Sequence, residues 1–201
     1  MNARRRGWII AVVVAAAAAV CVGAAEIPAG VVYWSDHALC WSDFRATPPA
    51  GVGQSNWVAS PKLVISWSAT FTAARKGTTW TATVTSLSVT NYVDPASSWA
   101  VPSRTSAEAL HHEQLHFDLH EVYRRLLENT LRPMSCQGST DSASLKALNG
   151  LLNSTSAAIL GRAESVQLAF DSESAHGTDL RTQAVWEDRI ADWLANPASA
   201  P

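Results

Sequence analysis

Hydrophobic and polar residues recur along this chain with two different periods, and the change of period separates a strand-rich first half from a helical second half. Over residues 62–72, Leu63, Ile65, Trp67, Ala69 and Phe71 alternate with mostly polar neighbours, the pattern of a strand with one buried face. Residues 74–77 read as a turn. Over residues 78–92, Trp80, Ala82 and Val84 alternate with threonines before the phase shifts to Leu87 and Val89, which predicts a bulge or two strands. Residues 31–44 are aromatic and β-prone, predicting a short strand and then an ordered segment with Trp41, Asp43 and Phe44. Trp99, Ala100 and Val101 suggest a last edge strand. Together these predict an antiparallel sheet of three or four strands.

The period then becomes helical. Leu115, Leu119, Val122 and Leu126 form the core-facing stripe of a helix over residues 105–131, with Leu110 and Phe117 on its far side, so the helix should be covered on two faces. Thr105 with Glu108 has capping-box spacing, and Arg124, Arg125 and Arg132 suit the negative end. Residues 133–144 are polar and predict a surface loop. Ile159, Ala163, Val166 and Phe170 mark a second helix ending near His176, because Gly177 is the residue expected just past a helix end. Val185, Trp186, Ile190 and Trp193 mark a third, over residues 182–194, followed by a frayed tail.

Composition changes the picture at the N-terminus. Arg4, Arg5 and Arg6 precede an uncharged apolar run ending in Gly23-Ala24-Ala25, which predicts an export signal over residues 1–25 and one domain over residues 26–201. The expected location is secreted or periplasmic, with no stable membrane span after cleavage; an uncleaved anchor is the alternative. Without those three arginines, 12 of the 15 basic side chains remain against 17 acidic ones, a formal charge of −5 that argues against nucleic acid as a partner. Export also removes Cys21. The remaining pair, Cys40 and Cys136, is then expected to form a disulfide worth about 4 kcal/mol.

Candidate chemistry lies in the first helix, where His112-Glu113-Gln114-Leu115-His116 places two imidazoles one turn and roughly 40° apart, able to share one tetrahedral metal ion. Glu113, beside the first ligand, is placed to take a proton from water activated by a metal. A catalytic zinc takes three protein ligands and keeps one position open. His120 lies roughly 6 Å beyond His116 along the axis, too far to be the third. His176, at the end of the second helix, is the better candidate, and Asp171, one turn earlier, could ligate instead or orient a ligand. His120 and Tyr123 share the ligand side, where either could hydrogen-bond a developing oxyanion, though packing is the simpler reading of both. His37 reads as polar surface, and Asp118 as a brace for backbone or a ligand.

Taken together, Trp41-Ser42-Asp43-Phe44 with Pro48-Pro49, His112 to Asp118, and Phe170-Asp171 leading to His176-Gly177 resemble a secreted bacterial family called domain of unknown function 922. Leu115 stands where that pattern has Gly, and Phe170 where it has Tyr. The resemblance implies a zinc-dependent protease and supports His176 as third ligand. The expected fold is α+β, a small zincin-like domain in which an N-terminal antiparallel sheet precedes a central metal-binding helix and two further helices. The expected function is peptide-bond hydrolysis on a peptide or protein substrate, with Zn2+ held by His112, His116 and His176 and Glu113 as general base. The alternatives are hydrolysis of another bond, such as a cell-wall amide or an ester, and non-enzymatic zinc binding.

Overall fold

The computed structural model describes residues 19–23, 27–52 and 57–201, with backbone only for the first of these. The alternating segments form the long strands β4 (Leu63–Lys76) and β5 (Thr79–Val93), an antiparallel hairpin closed by Gly77 and Thr78. Gly77 takes φ +63°, which a tight turn needs and a side chain disfavours. The predicted turn over 74–77 is thus shorter, because Ala73, Ala74 and Arg75 still pair with Ala82, Thr81 and Trp80. The phase shift in β5 is a bulge: Thr70 faces Ser86 while Phe71 faces Val84, leaving Thr85 extra. Both halves of the strand therefore turn apolar residues to the same face.

The main sheet runs β1 (Ala19–Gly23), β4, β5, β2 (Val32–Tyr33), with β7 (Ser135–Gly138) also paired to β5, all antiparallel. β7 replaces the predicted surface loop. The edge of β5 at residues 80–83 is open beyond the end of β2, and β7 occupies it. A separate two-stranded ribbon pairs β3 (Ala59–Ser60) with β6 (Trp99–Ala100). Most of the segment expected to be an export signal lies outside the described residues, and its residues 19–23 pair with residues 68–72 of β4. Among the described residues no helix is long and apolar enough to cross a membrane.

Three helices, α1 (Ala107–Leu131), α2 (Asp141–Glu173) and α3 (Leu180–Ala195), complete a mixed α/β fold. α1 starts at Ser106, whose hydroxyl accepts from the Ala109 amide; Thr105 instead donates to the Pro102 carbonyl. Of its predicted stripe Leu115, Leu119 and Val122 are buried and Leu126 partly so; with Tyr123 they join Phe71, Ala82 and Val89 of the sheet and Leu152, Ile159 and Phe170 of α2 in one core. Its far side carries Phe117 into a second cluster with Val32, Leu39 and Val93. Asp118 braces two side chains rather than backbone or a ligand, accepting from Trp34 Nε1 at 2.7 Å and Gln114 Nε2 at 2.8 Å. The tail is docked rather than frayed: Ala200 is buried and the Pro201 carbonyl accepts the Tyr123 hydroxyl at 2.8 Å. That bond satisfies a polar tip that the core could not otherwise accommodate.

The expected disulfide is not formed, and Cys40 and Cys136 are free thiols. Cys40 lies beside the first half of α1, where the Leu39 amide meets Gln114, whereas Cys136 pairs with Ala82 beyond Leu131. From residue 114 to residue 131 the helix alone spans about 25 Å. A disulfide requires Cα atoms within about 7 Å.

Candidate metal centre

The site forms where the first half of α1 faces the last turn of α2. His112 and His116 project from one side of α1, and on α2 Gln167 and Asp171, again one turn apart, face them. His112 Nε2, His116 Nε2 and Asp171 Oδ1 converge, with separations of 3.1 Å between the imidazoles, 3.1 Å from His112 to Asp171 and 3.0 Å from His116 to Asp171. Three donors about 2.0–2.1 Å from a tetrahedral zinc lie about 3.3 Å apart. This trio is drawn slightly tighter than that.

The outer nitrogens decide what the inner ones present. His112 Nδ1 lies 3.0 Å from Gln183 Oε1, and His116 Nδ1 meets Gln167 Oε1. A carbonyl oxygen only accepts, so each imidazole donates from Nδ1 and turns a bare Nε2 inward. Gln167 is itself fixed, donating from Nε2 to the His116 carbonyl at 2.9 Å, and Gln183 is buried. Three lone pairs then face one another at hydrogen-bond distance. They repel unless a positive charge sits among them, and a divalent cation fits this set of donors.

A proton supplies that charge when no metal does: burial works against the Asp171 carboxylate, but imidazoles donating to it from Nε2 hold its pKa well below the usual carboxylate range. Burial alone would lower His116, but Asp171 and Glu113 outweigh it and raise its pKa. Glu113 is 8% exposed and its pKa is raised, chiefly by burial, with the neighbouring imidazoles opposing. Its carboxylate has no hydrogen-bond donor among the described residues and opens into a cleft of about 590 Å³. That cleft is lined by α1, by the residues around β3, and by Asp171 and His176.

His176, expected as third ligand, lies outside the converging trio. Its side chain is 75% exposed, and Nδ1 is 3.4 Å from Asp171 Oδ1. The reason is the backbone after α2, where Ala175, His176 and Gly177 have φ of 49°, 53° and 78°. This left-handed run folds the chain back, its amides caught by Ser174 Oγ and the Asp171 carbonyl, and leaves the His176 ring at the rim. Left-handed backbone at two residues with side chains costs about 1–3 kcal/mol each and is common near functional sites.

The same run presses Gly177 against His112. A Cβ there would lie 2.8 Å from His112 Cγ, and Phe170 holds the imidazole with ring centroids 4.7 Å apart. Gly177→Ala is expected to displace His112, weakening zinc binding about 10–100-fold and lowering stability by about 1–2 kcal/mol. Zinc titration and thermal denaturation would read both. Gln167, Gln183 and the packing role of Gly177 were not legible in the sequence; the only signal was the one-turn spacing of Gln167 and Asp171.

His111 pairs with Glu187 at 3.1 Å at the surface. His120 also borders the cleft, one turn past His116, with Nδ1 sealed from solvent and without a hydrogen-bond partner among the described residues. Burial, with a smaller contribution from His116, lowers its pKa to about 4, so the ring is neutral near pH 7. A proton on the sealed Nδ1 would be a buried donor with no acceptor, which favours a proton on Nε2.

No curated protein and no solved structure matches the chain. The sequence profile of the family described as bacterial protein of unknown function, domain of unknown function 922, matches residues 40–177, more than half of the chain and all of α1 and α2. The chain belongs to that family.

Proposed function

We propose that this protein is a zinc-dependent peptidase of zincin-like build, acting outside the cytoplasm on a peptide or protein substrate. The observation that carries this reading is the convergence of three donor atoms, each imidazole oriented by a glutamine, beside a buried carboxylate that opens into a cleft. His112, His116 and Asp171 hold the ion, leaving room for a further ligand. When bound, zinc supplies Lewis acidity toward a carbonyl and toward water. Glu113 takes a proton from the attacking water and returns it to the leaving nitrogen, a role suited to a carboxylate whose pKa burial has raised.

β3 supports an extended substrate. The Val101 amide bonds the Val58 carbonyl at 2.8 Å and Ser60 is opposite Trp99, so Val58 and Ser60 turn their backbone groups toward β6. Ala59, between them, turns its N–H and C=O the other way, along the wall of the cleft, where a peptide strand could pair with them. His120 Nε2–H is a neutral donor for a substrate carbonyl. His120→Phe is expected to lower kcat/KM about tenfold, the size of one neutral hydrogen bond, with zinc content unchanged.

The test of the reading is product analysis by mass spectrometry after incubating zinc-loaded protein with casein and, separately, with cell-wall muropeptides. New peptide termini in casein that chelation abolishes are expected. Cleavage of the muropeptides alone would overturn the bond assignment, and cleavage of neither would overturn the enzymatic reading.

A further inference from the structure

We propose that His37, Cys40 and Asp43 form a second divalent-metal site, separate from the cleft. The three residues recur every third position, and a 3-10 turn over Trp41–Asp43 folds them onto one point. His37 Nε2 and Cys40 Sγ each lie 3.1 Å from Asp43 Oδ2, and the three ligand atoms lie within 4.8 Å of one another. Sulfur, nitrogen and oxygen donors around one tetrahedral zinc lie about 3.3–3.6 Å apart, so occupancy requires small side-chain shifts only.

The donors are held in place from behind. Asp43 is 3% exposed, and its Oδ2 also accepts the Cys40 amide at 3.0 Å. The Leu39 amide donates to Gln114 Oε1 at 2.7 Å, which fixes the segment to α1, and the Trp41 and Phe44 rings pack 5.2 Å apart beyond the turn. His37 and Cys40 remain partly accessible, so an ion has a route in. A single carboxylate oxygen now gathers the thiol, the imidazole and an amide. Binding would replace the thiol proton, which leaves to solvent as the sulfur–metal bond forms, while the imidazole carries its proton on Nδ1. No electron is transferred.

The donor set selects the metal. Thiolate and imidazole suit zinc or cobalt, whereas magnesium and calcium prefer oxygen alone. Gln114 lies on the side of α1 away from His112, so an ion here would stiffen residues 37–43, which the Leu39–Gln114 bond ties to the helix, without entering the cleft.

The probe is cobalt(II), added to the reduced full chain carrying His112→Ala and His116→Ala. One cobalt per chain and a near-ultraviolet sulfur-to-cobalt charge-transfer band are expected. Adding Cys40→Ser should remove the band, and adding Cys136→Ser should leave it. The wild-type chain provides the same optical readout if the double variant does not fold. No bound cobalt in the folded double variant, cobalt without a sulfur band, or a band that depends on Cys136 would overturn the proposal. Since the cleft histidines are absent from the main assay, failure of the peptidase reading leaves this result standing.

Discussion

Glu113→Gln protein is expected to bind zinc as tightly as the parent and to lose about 10²–10⁴-fold in kcat, the contribution of a positioned general base. The substitution keeps the shape of the side chain and removes only its capacity to take up a proton. Glu113 is buried beside His112 and His116 and accepts no hydrogen bond from the described residues, so exchanging it breaks no visible structural contact. A structural carboxylate would show its loss in stability, and a ligand would show it in zinc affinity. Zinc titration, thermal denaturation and peptide hydrolysis measured on the same preparation separate these roles. Retained hydrolysis would sink the mechanism.

Asp171 and His176 should behave differently when each is replaced by Ala. A structural zinc site releases about 10–16 kcal/mol on binding, so one ligand among three or four carries roughly 4 kcal/mol, and Asp171→Ala is expected to weaken zinc on the order of 10³-fold. The loss has a second origin, because the carboxylate also offsets the positive charge brought into a half-buried pocket. His176→Ala removes an exposed ring at the rim and is expected to weaken zinc by less than about tenfold, with any larger effect confined to KM. The opposite ranking would restore His176 as the third ligand and require the segment after α2 to swing inward.

Legibility in the sequence followed the physics of each element. α1 was readable because twenty-five residues of periodic apolar positions leave little alternative, and His112, Glu113 and His116 followed from helical spacing alone. The β4–β5 hairpin, with its bulge, was readable because one face of each strand is buried and a change of face leaves a phase shift. β7 was not, since four residues carry little periodicity and pair only because the edge of β5 is open. The docked tail depends on Tyr123, whose hydroxyl needs an acceptor that no local pattern reveals.

The third donor was ambiguous for a different reason. Asp171 and His176 are five residues apart at a helix end, and the choice between them turns on a left-handed run at Ala175 and His176 that their residue types disfavour. The disulfide expectation failed because composition counts cysteines without placing them. Cys40 instead meets His37 and Asp43, two residues whose spacing carried no familiar signature.

The proposed chemistry requires that His112, His116 and Asp171 hold a metal ion with a position left open. Anomalous diffraction at the zinc absorption edge, from crystals grown with zinc, tests it most directly. The account predicts a peak about 2.0–2.2 Å from His112 Nε2, His116 Nε2 and an Asp171 carboxylate oxygen, with solvent as the remaining ligand. A pocket without a peak, or an ion closed off by a fourth protein side chain, would contradict it.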